Sequence, residues 1–280
     1  MRTERRLELP SGIHLPYVEQ GDPDGLPVLC LHGVTDSWRS FTPVLPLLPP
    51  ALRVIAVTQR GHRGASRPAS GYGLDALAGD ALGVLDALGI DAAVVVGHSM
   101  GATVAQRLAV GHPRRVRGLL LMGAFAGMAH NQGAREMWQA VSRLADPVPR
   151  AFARDFQLGT VVRPLPEAFL EMVVNESLTL PASVWRALFA GFLADDQVES
   201  LARITAPTVV VWGDRDVICP RADQDALLRT IPGATLLVVP DAGHAVHWEV
   251  PSALAEALAT FASAVGRSTP PGGPRFRAAC

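Results

Sequence analysis

Ala93-Val94-Val95-Val96-Gly97-His98-Ser99-Met100-Gly101-Ala102 decides the reading of this 280-residue chain. The β-branched run at its start predicts a buried parallel strand. From Ala102 to Val110 the residues are helix-forming and mostly apolar. Ser99 is therefore expected on a sharp turn between strand and helix. A serine on so tight a turn has strained dihedrals, and Gly97 and Gly101 remove the Cβ atoms that would hold strand and helix apart. The helix that begins there aims its free N–H groups and the positive end of its dipole at the reacting centre. Taken alone, G-x-S-x-G also fits an ordinary strand–turn–helix that contains a serine. The rest of the chain decides between the two.

Working outward, residues 7–9 and 13–18 predict an antiparallel hairpin at a sheet edge, where Pro16 is tolerated because it lacks a ladder donor. Pro27 to Leu31 predicts a strand that ends in His32-Gly33-Val34-Thr35. Trp38 to Leu48 is expected to be a helix broken by Pro43 and Pro46. Arg53 to Val57 is the next strand, Leu74 to Leu88 a helix stopped by Gly89, and Val116 to Met122 another buried strand. From Ala124 to about Arg203 the strand–helix alternation ceases, and helical segments alternate with prolines. It resumes with strands at Thr208–Trp212 and Leu236–Val239, a helix near Asp223–Arg229 and a last helix at Ser252–Val265. Alternating strands and helices imply an α/β fold with a mostly parallel sheet, and ligands there bind at the carboxyl ends of the strands. The expected division is a core of 1–123 and 204–265, a helical cap of 124–203 and a disordered tail of 266–280.

Composition narrows the chemistry. Apolar residues make up 49% and the net charge is −1, so neither a nucleic acid nor an anionic membrane is indicated as partner. All 25 basic residues are Arg, which removes Schiff-base lysines and P-loop lysines from consideration. Cys30, Cys219 and Cys280 are widely spaced, which argues against a disulfide framework, and Cys30 falls in a strand pattern as a buried thiol. No signal peptide or membrane-length apolar run is present, so a cytoplasmic protein is expected, as monomer or homodimer.

A serine hydroxyl needs a base, and the base needs an orienting group. His244 follows the last strand in Asp241-Ala242-Gly243-His244, and Asp216 follows the preceding one in Gly213-Asp214-Arg215-Asp216. The expected catalytic set is Ser99, His244 and Asp216, with Asp214 and Asp241 as alternative carboxylates. Backbone N–H groups of Met100 and Val34 are the expected oxyanion donors. His32 is expected to anchor its loop. His98 is expected to face away from the serine as a core histidine, since residues alternate at a strand end. His247 and Glu249 beside His244 lack metal-site spacing, so no metal and no cofactor are expected.

With these residues assembled, the chain resembles the α/β-hydrolase superfamily. The resemblance rests on His32-Gly33, Arg60-Gly61-His62-Arg63-Gly64-Ala65-Ser66, Gly97-His98-Ser99-Met100-Gly101, Gly213-Asp214-Arg215-Asp216 and Gly243-His244, and it extends to about Val265. The order Ser99, Asp216, His244 also matches. It implies a mostly parallel eight-stranded sheet flanked by helices, with a helical cap inserted after the sixth strand. The chain is most similar to capped esterases, lactonases and C–C bond hydrolases. Gln59 stands where such sequences usually carry Asp, a change that bears on a local loop hydrogen bond. Epoxide hydrolases and haloalkane dehalogenases use a carboxylate where Ser99 stands, and epoxide hydrolases use cap tyrosines. Tyr17 and Tyr72 both lie outside the insertion.

The expected activity is hydrolysis of an ester or lactone of a small to medium, rather apolar substrate through an acyl-enzyme. C–C bond hydrolysis and cofactor-free perhydrolysis are alternatives on the same three residues, and a non-enzymatic ligand receptor is a further one. Aromatic residues of the insertion mostly form its own core. His32, Gly33, Phe125, Trp138, Phe156, Trp185 and Phe189 are the expected pocket residues.

Overall fold

The computed structural model describes residues 3–128, 131–194 and 197–267. Eight strands form one sheet: β1 (Arg5–Glu8), β2 (His14–Gly21), β3 (Leu26–Leu31), β4 (Leu52–Val57), β5 (Ala93–His98), β6 (Val116–Met122), β7 (Thr208–Gly213) and β8 (Thr235–Val239). Their spatial order is β1-β2-β4-β3-β5-β6-β7-β8. β1 and β2 pair antiparallel, as do β2 and β4, and all remaining neighbours are parallel. The expected hairpin stands at the sheet edge, but Pro16 lies on β2, one strand in. It is accommodated because the β2–β4 ladder begins only at Tyr17 opposite Val57, so no N–H is required of it there.

β5 is buried along its whole length, as a strand covered on both faces must be. Its side chains alternate between two cores. Val95 joins Leu29, Leu31, Leu119 and Leu121 under helices α1 (Leu74–Ala87) and α2 (Met100–Gly111). Val94 and Val96 join Val28, Cys30 and Leu120 against Leu254, Leu258 and Phe261 of the last helix. Each such aliphatic side chain contributes about 1.5–3 kcal/mol on burial. Burial also pushes the Cys30 thiol up to about 12, which leaves it unreactive.

Four helices fill the interval between β6 and β7: α3 (Gln132–Val141), α4 (Arg150–Leu158), α5 (Glu167–Leu178) and α6 (Ala182–Ala194). They form the cap; Gln157 of α4 reaches the loop after β3, and Arg163, between α4 and α5, reaches Asp241 in the loop after β8. Then follow α7 (Arg221–Thr230), the short α8 (Val246–Glu249) and α9 (Pro251–Arg267). α9 continues two residues past the expected end at Val265, and 268–280 of the expected tail lie outside the described residues. The expected broken helix after β3 is instead two short 3₁₀ turns, Trp38–Phe41 and Leu45–Leu47, because Pro43 and Pro46 cannot donate to a longer helix. Among the described residues no single helix is long and apolar enough to cross a membrane.

Candidate active site

Ser99 joins β5 to α2 with φ +50 and ψ −114, a conformation that side-chain-bearing residues rarely adopt. The turn closes because its neighbours lack side chains. A Cβ on Gly97 would fall 2.4 Å from the Gly101 carbonyl oxygen, and one on Gly101 would fall 2.1 Å from that of Leu31. Met100 opens α2, so its N–H has no partner within the helix and is free to serve an oxyanion.

His244 is brought to the same cavity wall as Ser99 by the loop after β8. Its Nδ1 lies 2.9 Å from Asp216 Oδ2, and both side chains are buried. The other oxygen of Asp216 accepts from the N–H groups of Ile218 and Cys219, each at 2.9 Å. The alternative carboxylates go elsewhere. Asp214 accepts from the N–H of Asp241, and Asp241 pairs with Arg215 at the surface. Gly123, at the end of β6, makes room for the base: a Cβ there would fall 2.7 Å from His244 Cε1. The sequence held no sign of this requirement, because it arises from a loop far along the chain, at His244.

Two more histidines lie near His244. The ring of His98 lies 5.0 Å from that of His244 and 4.3 Å from that of His247. His98 is buried, as expected of a core histidine, and it also contributes to the cavity wall. Burial holds His98 well below the usual histidine range, and the charges of His247 and His244 lower it further. Burial, with a smaller contribution from His244, likewise lowers His247 to about 3, and its Nε2 lies 2.8 Å from Ser40 Oγ. Glu249 binds backbone N–H groups of Gly243, Val162 and Arg163. His244, His247 and Glu249 thus do not converge on one point. The described residues do bring Asp216, Cys219 and His244 together, with ligand atoms within 4.8 Å of one another. Asp216 and His244 are bonded to each other there, and the Cys219 thiol donates to the Gly123 carbonyl and is pushed well up, first by burial.

The loop after β3 is held by its histidine. His32 Nε2 accepts from the N–H of Gln59, whose side-chain amide donates to the His32 carbonyl at 2.8 Å. Gln59 thus fastens the loop through its own N–H and through a side-chain amide donor that a carboxylate at this position lacks.

Ser99 opens into a cavity of about 270 Å³ beneath the cap. Gly33, Val34, Met100, Phe125, Phe156 and Phe189 line it as expected residues of the site. Three expected residues lie off the wall. His32 is fully buried against His62, with rings 4.7 Å apart. Trp185 is fully buried behind Phe156 and Phe189 and serves as the cap's own core. Trp138 packs on the cap core from α3. Residues that sequence reasoning missed add to the wall, among them Asp36, Met137, Gln157, Thr160, Ile218 and Trp248. Val217 and Ile218 directly follow Asp216, and Gln157 directly follows Phe156, so chain adjacency was the available signal. No Arg is present among the described residues of the wall.

Comparison with known proteins agrees with this geometry. The chain is 33% identical over 245 residues to the dihydrolipoyllysine-residue acetyltransferase component of an acetoin cleaving system from Cupriavidus necator, covering 85% of this chain. It spans only 64% of that relative's length. It is 32% identical over 254 residues to a 2-hydroxymuconate semialdehyde hydrolase of a Pseudomonas species, covering 86% of each. Among solved structures, a thermophilic esterase from Thermogutta terrifontis superposes with a TM-score of 0.83 at 27% identity, over 94% of this chain and 99% of that one. The model of the family described as alpha/beta hydrolase fold matches residues 27–251, and with a serine turn, sheet order and cap of this kind the chain belongs to that family.

Proposed function

We propose that this protein is a serine hydrolase that cleaves an ester or lactone of a small to medium, apolar and uncharged substrate. Ser99 attacks the carbonyl carbon, and His244 takes the hydroxyl proton. Asp216 holds the imidazole in the tautomer that carries its proton on Nδ1. The N–H groups of Val34 and Met100 receive the negative charge that develops on the carbonyl oxygen. The alkoxide leaves with the proton from His244, and water, deprotonated by His244, then releases the acid. The observation that carries this reading is the buried 2.9 Å contact between His244 and Asp216 on the wall that also holds Ser99. The absence of Arg among the described wall residues favours an uncharged acyl group, because a buried unpaired carboxylate is costly. C–C bond hydrolysis is the second reading, favoured by the 2-hydroxymuconate semialdehyde hydrolase relative.

A chain-length series of p-nitrophenyl esters, with wild type beside Ser99→Ala, tests the proposal. Turnover that vanishes in Ser99→Ala supports it, and the chain-length optimum sizes the cavity. Undiminished turnover in Ser99→Ala overturns it. Cleavage of a vinylogous keto acid with no esterase activity moves the assignment to C–C bond hydrolysis.

A further inference from the structure

We propose that Gln157, on cap helix α4, is a positioning residue that holds the oxyanion loop in its working shape, so that cap docking and oxyanion-hole assembly are one event. The inference rests on the serine mechanism above. Thr35 directly follows Val34 and has φ +70, a left-handed conformation that a β-branched residue resists. Such a conformation persists only where its surroundings over-determine it. From the core, the Thr35 N–H donates to His62 Nε2 at 3.1 Å, the Asp36 N–H to the Gly33 carbonyl at 3.4 Å, and Ser40 Oγ to Asp36 Oδ2 at 3.5 Å. Among the described residues, the side-chain bonds to Thr35 itself come from the cap. Gln157 Nε2 lies 3.3 Å from Thr35 Oγ1, 3.2 Å from Asp36 Oδ1 and 2.8 Å from Ser177 Oγ. Ser177, on α5, in turn reaches Thr35 Oγ1 at 3.0 Å.

These groups are buried. Thr35 and Ser177 are fully covered, and Gln157 and Asp36 are nearly so. A bond lost there leaves Asp36 Oδ1 short of its protein donor. If Thr35 relaxes to negative φ, the peptide groups beside it turn, and the Val34 segment moves with them. Gln157 also lines the cavity with Ser99 and Val34, so the hydrogen bonds stand next to the place where the oxyanion forms. Asp36 fits the same role. Burial raises its carboxyl well above the usual range, which disfavours a negative charge beside the developing oxyanion.

The test measures Gln157→Ala for kcat and KM on the best p-nitrophenyl ester, and for affinity to phenylboronic acid and to acetophenone. The boronate forms a tetrahedral adduct on the serine, whereas acetophenone fills the cavity as a planar ketone. The expected result is a loss of about tenfold or more in kcat, below the hundredfold or greater effect of deleting an oxyanion donor outright. KM stays within about threefold. Boronate affinity falls by the same factor as kcat, and acetophenone affinity holds. Thr35→Gly removes the resistance to positive φ, and in that background Gln157→Ala should cost little. Ser177→Ala cuts the network from α5 and carries the same expectations if Gln157→Ala fails to fold. The double variant should be no worse than either single one, since both act through Thr35. An unchanged kcat and boronate affinity, or a loss confined to KM, overturns the inference. Turnover surviving in Ser99→Ala would instead overturn the serine mechanism itself, so the two failures are distinguishable.

Discussion

Asp216 uses both carboxylate oxygens, one on His244 Nδ1 and one on two backbone N–H groups. An amide of the same shape cannot satisfy both sides. In Asp216→Asn the group facing Ile218 and Cys219 must remain an acceptor, which turns an NH₂ toward His244 and favours the wrong imidazole tautomer. Turnover should fall by roughly four orders of magnitude with the fold intact, as steady-state rates beside a thermal melt will report. A decrease of less than tenfold would contradict the orienting role. The sequence favoured Asp216, with Asp214 and Asp241 as alternatives, and the fold brings Asp216 to His244. Asp214 sits in the same turn but points at the Asp241 N–H.

Elements are fastened to one another by a few buried charges. Arg60, in the loop after β4, grips Asp80 of α1 through Nε and Nη2 at 2.5 and 2.6 Å. Asp80→Ala leaves the guanidinium buried and unpaired, which should cost about 3–5 kcal/mol in urea unfolding. Glu249, at the end of α8, fastens the His244 loop to the cap through Gly243, Val162 and Arg163. Glu249→Gln weakens charge-assisted bonds to backbone on both sides of that seam. It should lower kcat several-fold and sharpen proteolysis at the cap junction, read by limited trypsin digestion against wild type. Equal digestion rates would show that the seam is held by other contacts. The strands were legible from apolar runs, and Gly89 at φ +64 ends α1 as its position suggests. The segment after β3 was not, because prolines mark where a helix fails without saying what replaces it.

Across the whole molecule, burial keeps a set of histidines neutral. It lowers His62 to about 4 and His247 to about 3, and it depresses His32 and His98. In the unfolded chain these rings titrate near their ordinary value of about 6.5. Between that pH and about 4 the unfolded state therefore binds protons that the native state refuses. Stability should fall as pH drops through this window, by up to about 1.4 kcal/mol per pH unit for each ring. Urea unfolding at pH 7.5, 6 and 4.5 will measure it, and a pH-independent midpoint over that range would refute it. His247→Gln should flatten the slope.

The sequence by itself determined the sheet pattern, the sharp serine turn, the order of Ser99, Asp216 and His244 along the chain, and the presence of an inserted helical layer. Each depends on near neighbours: an apolar period, a missing Cβ, a proline that cannot donate. Tertiary structure alone decided that His98 lies tilted against His244, that Trp185 lies behind the cavity wall, and that Gln157 reaches Thr35 across 122 residues of chain. Those contacts join segments far apart in sequence, and their distances are set by how whole helices pack on the sheet, which no local pattern encodes.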